Sequence, residues 1–108
     1  MVKRFWLIDL DNEELSMEIM SSNPRDAALK AATREVAQIC LVETENGKLH
    51  LFHGSKVPLE PRETNEFTRK NNITSKPIVG KLGYVNMQKK MSRSDMPTIL
   101  VEFKRLTS

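Results

Sequence analysis

The chain has 108 residues, a net charge of +3, 39% hydrophobic and 6% aromatic residues, and a single cysteine. That length supports one domain with a modest core and is too short for two ordinary ones. One cysteine excludes an intramolecular disulfide and a four-cysteine zinc site, and it fits a reduced, intracellular setting.

After Lys3 and Arg4 a short apolar run meets Asp9 and Asp11, far short of a signal core or a membrane span, so neither export nor a membrane partner is expected. Phe5 to Leu10 reads as a strand with Trp6, Ile8 and Leu10 on one face and Phe5 and Leu7 on the other, a pattern open to cover on both faces. Asp11-Asn12-Glu13 is turn material. Glu14 to Ile19 then alternates strictly, with Leu15, Met17 and Ile19 inward, as the second arm of a hairpin.

Ser22-Asn23-Pro24-Arg25-Asp26 predicts a helix start: Asn23 caps, Pro24 takes the first helical position where its missing N–H costs nothing, and Asp26 complements the helix dipole. The helix is expected to run to Val36 with Ala28, Leu29, Ala32 and Val36 as its buried stripe. Arg25, Lys30 and Arg34 can point outward together, and on the helix pattern alone an ordinary solvated face is the favoured reading of them.

Ile39 to Thr44 and Lys48 to His53 form a second hairpin, because Glu45-Asn46-Gly47 places Asn-Gly where a tight turn needs positive φ. His50 and His53 are three apart on a strand, so they face opposite ways and cannot share a metal. From Gly54 to Lys76 periodicity is lost, and a loop that long in a small domain is functional or disordered. Pro77 to Met87 reads as a strand weakened by Gly80 and Gly83, and Thr98 to Phe103 as a last apolar strand.

No Gly-rich phosphate loop, metal-spaced His/Cys/Asp cluster, Gly-x-Ser-x-Gly elbow or acidic pair in an apolar setting occurs. An enzyme is not expected, nor a cofactor, a metal or a small-molecule substrate. The charge is distributed more informatively. Residues 1–54 carry six Lys/Arg against nine Asp/Glu, net −3, and residues 55–108 carry eleven against five, net +6. From Thr68 to Ser94 the chain holds Arg69, Lys70, Lys76, Lys81, Lys89, Lys90 and Arg93 with no acid until Asp95, and Phe67, Pro77 and Tyr84 lie in or beside this stretch. Uncompensated charge with nearby flat side chains suits nucleic acid, and a basic surface that only confers solubility is the alternative.

Pro24-Arg25-Asp26-Ala27-Ala28-Leu29-Lys30-Ala31-Ala32-Thr33-Arg34 closely resembles the helix motif of the methanogen non-histone chromosomal protein family called MC-one. Phe5, Leu7 and Asp9 resemble that family's first strand, Lys48-Leu49-His50-Leu51-Phe52 with Lys56 its fourth, and Ser75-Lys76-Pro77-Ile78-Val79 with Lys81 its last. Four motifs in order span residues 4 to 85. The resemblance implies an α+β fold, a small strand-strand-helix-strand-strand-strand pseudobarrel, here with an extra C-terminal strand. It also implies a monomer that binds and bends double-stranded DNA, with bent or junction DNA as possible targets.

On that basis residues 1–108 are one DNA-binding domain: a family-like core of 1–87 with an arm at 57–76, and a C-terminal extension at 88–108. Arg25, Lys30, Arg34, Lys48, Lys56, Lys76, Pro77 and Lys81 match family positions that are basic or belong to the DNA-contacting arm. Phe67, Arg69 and Lys70 complete the expected contact set. The family's arm tryptophans are missing, with Ser55 in place of one and Trp6 the only Trp, so a wedge or stacking contact is either weaker or moved to Phe67, which has anchoring the loop to the core as its alternative role. The expected location is intracellular and DNA-associated, in an archaeal nucleoid or, for a viral member, a virion or host nucleus. The competing reading is a protein-interaction or virion/nucleoid assembly module using the arm and terminal strand. Single-strand or RNA binding through Phe67 and Tyr84 is a third, opposed by the low aromatic content.

Overall fold

A computed structural model describes residues 2–60, 62, 70 and 75–108. The apolar runs become β1 (Lys3–Asp9), β2 (Glu14–Ser21), β3 (Gln38–Glu43), β4 (Lys48–Pro58) and β5 (Ser75–Asn86), with α1 (Pro24–Thr33) after β2 and α2 (Met96–Thr107) at the C-terminus. All pairings are antiparallel, in the order β2-β1-β3-β4-β5. The sheet is α+β in class but open rather than a closed barrel, with β2 and β5 at its edges.

Each strand feeds two cores, as the doubly apolar β1 suggested. Phe5, Leu7, Ile19, Ile39, Leu41 and Phe52 meet Ala27, Ala28, Ala31 and Ala32 of α1 on one face. Trp6, Ile8, Cys40, Val42, Leu49 and Leu51 meet Met91, Ile99 and Phe103 on the other. Burial in that second core pushes the Cys40 thiol up to about 12, which makes it a small hydrophobe rather than a nucleophile.

The start of α1 is as expected: the Asn23 side chain accepts from the Asp26 N–H at 2.9 Å. Its end comes earlier than Val36. Arg34 caps the helix and Glu35 adopts φ 65°, a left-handed conformation that stops helical hydrogen bonding. The buried stripe is Ala27, Ala28, Ala31 and Ala32, with Leu29 only half-buried, because four methyl-sized side chains let the helix lie close to the sheet. The chain leaving α1 approaches β4 so closely that a Cβ on Gly54 would lie 2.7 Å from the Val36 carbonyl oxygen.

The β3–β4 turn spans Thr44 to Gly47, with Gly47 at φ +74° and its N–H donating to the Glu43 carbonyl at 2.9 Å. The expected aperiodic stretch begins later and ends earlier than the sequence suggested, since β4 runs to Pro58 and β5 starts at Ser75. Pro77 fits in the ladder, opposite Lys56, because β5 is an edge strand and its missing N–H is tolerated there.

The expected C-terminal strand is a helix. Thr98 to Phe103 has strand-like composition, but the apolar positions Met96, Ile99, Leu100, Phe103 and Leu106 recur at helical spacing once the window reaches Leu106. Pro97 sits in the first turn, and the Asp95 carboxylate accepts from the Ser92 N–H at 2.8 Å in the 3₁₀ turn Arg93–Asp95 that leads in. Met87 and the extension that follows it are tied to the rest of the fold at three places. Met87 N–H donates to Gly47 O at 2.9 Å, Met91 N–H to Thr44 O at 2.7 Å, and Lys104 pairs with Glu13. The terminal segment is thus used inside the fold and offers no free strand for association.

Candidate nucleic-acid interface

Alternation along β4 and β5 sorts the expected contact residues by face. Phe52 belongs to the core under α1, so Lys48, His50, Gly54 and Lys56, which are even steps away on β4, point to the same side. Their cross-strand partners on β5 are Asn86 for Lys48, Tyr84 for His50, Lys81 for Phe52, Val79 for Gly54 and Pro77 for Lys56. A bulge at Leu51/Phe52 skips Leu82 and brings both Lys81 and Tyr84 to this side. One face of the β4–β5 ribbon therefore presents Lys48, Lys56, Pro77, Lys81 and Tyr84 beside α1. Lys76, opposite Val57, falls on the other face.

The cations differ in what already holds them. Lys56 lies 3.5 Å from Glu35, Lys30 Nζ donates to the Met20 carbonyl at 2.6 Å, and Arg34 reaches the Lys30 carbonyl at 3.5 Å. Arg25 is exposed in the first turn of α1. Lys81 meets no carboxylate among the described residues; its Nζ lies 4.9 Å from the centre of the Tyr84 ring. Lys70 is exposed, whereas Phe67 and Arg69 lie outside the described residues, as does most of the arm.

Beneath Tyr84 is a polar cluster that sequence reasoning missed. The His50 ring, 4% exposed, lies 5.3 Å from the Tyr84 ring and is tilted 46° to it, and its Nε2 lies 3.3 Å from the Glu43 carboxylate. Glu43, 2% exposed, also receives Lys3 Nζ at 3.4 Å and the Asn46 amide. Burial tends to push the Glu43 carboxyl up, but the Asn46 hydrogen bond, the Lys3 charge and the His50 contact outweigh it and hold the group below its ordinary value. His50 is held below the usual histidine value, chiefly by burial and further by Lys81 and Lys48, against the pull of Glu43. It is thus neutral at pH 7 and donates through Nε2, and its buried Nδ1 has no partner among the described residues. The alternation Lys48-x-His50-x-Phe52 was a legible hint of the shared face; the Tyr84 register was not.

The lone Trp6 is core, with the Arg93 guanidinium 5.8 Å from its ring centre, so it does not stand in for the missing arm tryptophans. Among the described residues no group of three or more His, Cys, Asp or Glu is placed to hold a metal ion. No helix among them is long and apolar enough to cross a membrane.

No protein-family model matches the chain, and no solved structure matches it. A curated relative does: chromosomal protein MC1c of Methanothrix soehngenii is 33% identical over 86 residues, covering 80% of this chain and 93% of that protein. Such identity across nearly the whole relative, together with a strand-strand-helix-strand-strand-strand core, shows that the chain belongs to the MC1 family of chromosomal proteins.

Proposed function

We propose that this protein is an architectural DNA-binding protein that binds double-stranded DNA as a monomer, with little dependence on sequence, and bends or compacts it. The observation that carries the reading is the set of cations that the β4–β5 register brings to one face of that ribbon. Lys48, Lys56 and Lys81 line one face of a ribbon beside α1, Lys81 has no acidic partner among the described residues, and Arg25, Lys30 and Arg34 of α1 and its C-cap are proposed to extend this set. Membership of a family of chromosomal proteins supports it.

The chemistry is phosphate neutralisation, which positions a protein on a duplex without reading bases. Lys76, Pro77, Phe67, Arg69 and Lys70 extend the contact surface along the arm, with Phe67 as the candidate wedge. Bending a short site costs on the order of 1–6 kcal/mol, recovered from the contacts that bent DNA makes with more of the surface, so preference follows deformability. DNA association then sets where the protein resides in its host.

A gel-shift series at fixed salt comparing linear duplex, four-way junction, single strand and RNA tests the proposal. Duplex or junction is expected to bind best. With about six phosphates neutralised, log K falls against log salt with a slope of about −5. A slope near zero, or stronger binding to single strands, overturns the reading.

A further inference from the structure

We infer that Tyr84 and Lys81 together form a phosphodiester-binding element on β5, with His50 as the residue that positions it. The inference rests on the DNA-binding reading and specifies part of its surface.

Three observations carry it. Tyr84 is 43% exposed, and among the described residues its hydroxyl has no hydrogen-bond partner, so the donor is open to a ligand. The Lys81 ammonium is held 4.9 Å from the ring of that same tyrosine by the bulge that skips Leu82, and it is not consumed by an ion pair among the described residues. A phenolic O–H and an ammonium on one short segment match two oxygens of a single phosphodiester, which every DNA sequence offers.

The third observation is the support beneath the ring. A surface tyrosine normally loses rotamer freedom on binding, at a cost to affinity. Here the ring rests on the buried His50 imidazole, His50 is oriented by the Glu43 carboxylate, and Glu43 is fixed by Lys3 and Asn46 from β1 and the β3–β4 turn. Burying Glu43 and His50 under a single exposed ring costs desolvation that an apolar pair would not, and their hydrogen bonds in return fix the surface on which that ring sits. The sheet could instead have filled the site with apolar side chains, as its opposite face does.

The test uses the full chain, fluorescence anisotropy with a short linear duplex and a salt titration. Tyr84→Phe keeps the ring and its tilted contact with His50 and removes only the hydroxyl. It is expected to weaken duplex binding about fivefold to tenfold, with the melting temperature and the salt slope unchanged. Lys81→Gln is expected to weaken binding and make the salt slope shallower by about one unit. The positioning role of His50 is read from a double-mutant cycle: in a His50→Gln background, Tyr84→Phe costs little more, whereas a purely structural His50 would leave the Tyr84→Phe effect at full size. Wild-type protein that binds duplex with Tyr84→Phe indistinguishable from it overturns this inference and leaves the DNA-binding reading standing. Wild-type protein that does not bind duplex overturns both.

Discussion

Over α1 the sheet meets four alanines, Ala27, Ala28, Ala31 and Ala32; over α2 it meets Ile99 and Phe103, with Met91 and Trp6 alongside. The first helix lies close and its cover ends before Glu43 and His50, where the face turns polar and carries Lys48, Lys81 and Tyr84 at its rim. The second is thick and apolar throughout. One sheet thus keeps its proposed binding chemistry beside the thin helix and draws much of its apolar burial from the thick one. The α2 face also includes the extension, so a segment beyond the family resemblance supports the side of the sheet away from the proposed DNA surface.

If that division holds, the largest effect comes from emptying the thick face. Phe103 is fully buried, and Phe103→Ala is expected to cost about 3–5 kcal/mol in urea unfolding through lost burial and the cavity left behind. Duplex affinity of the remaining folded protein is expected to stay at the wild-type value, because among the β4 and β5 residues proposed as contacts only Lys76 lies on that face. A loss of affinity in folded protein would mean that the two faces are coupled.

The thin face fails in the opposite sense, by crowding. At Gly54 a Cβ would come within 2.7 Å of the Val36 carbonyl oxygen and 2.8 Å of Ile39 Cδ1. Since the first neighbour is backbone and cannot rotate away, Gly54→Ala is expected to cost about 1–3 kcal/mol and to displace the end of α1 from β4. Because Lys56 and Glu35 flank this contact, duplex binding should weaken along with stability, unlike the Phe103 case. A neutral Gly54→Ala would show that the close approach of α1 is not a constraint.

How far these differences were legible in the sequence varies with the range of the interaction. The strands, the start of α1 and the β3–β4 hairpin follow from local rules: alternation, the Asn23-Pro24-Asp26 cap, and Gly47 in its turn. The end of α1 did not, because Val36 is apolar at the right spacing, and only the left-handed Glu35 shows that the chain has already turned. The C-terminal helix was misread because Ile99, Leu100 and Val101 favour a strand locally, while the helical period emerges only with Met96, Phe103 and Leu106. The basic residues of the site were named, but their sorting was not. Whether Lys76 or Lys81 shares a face with Lys56 depends on a register shift at Leu51/Phe52, and no single strand contains that information. Likewise His50 reads as an isolated histidine until Glu43 and Tyr84 are brought beside it from two other strands.

The smallest expected effect separates the faces by pH. The α2 core holds no group that titrates between neutrality and mild acid, whereas the α1 face ends in His50 and Glu43, surrounded by Lys3, Lys48, Lys81, Asn46 and Tyr84. Burial lowers His50 from its ordinary 6.5, so above that value both folded and unfolded chains carry it neutral and it contributes no slope. As the pH falls below 6.5 the unfolded chain takes up the proton first, and stability declines until the folded protein also protonates. Glu43 acts later and in the same direction: its folded value lies below the ordinary 4.5, so its contribution is intact above 4.5 and is lost as the pH falls through the folded value. Two successive declines in the urea midpoint are therefore expected on acidification. His50→Gln, which keeps a donor for Glu43 but cannot titrate, should remove the first and keep the second. Identical pH profiles for wild type and His50→Gln would mean that the histidine titrates alike in both states. The polar end of the α1 face would then owe its sensitivity to acid to Glu43 alone.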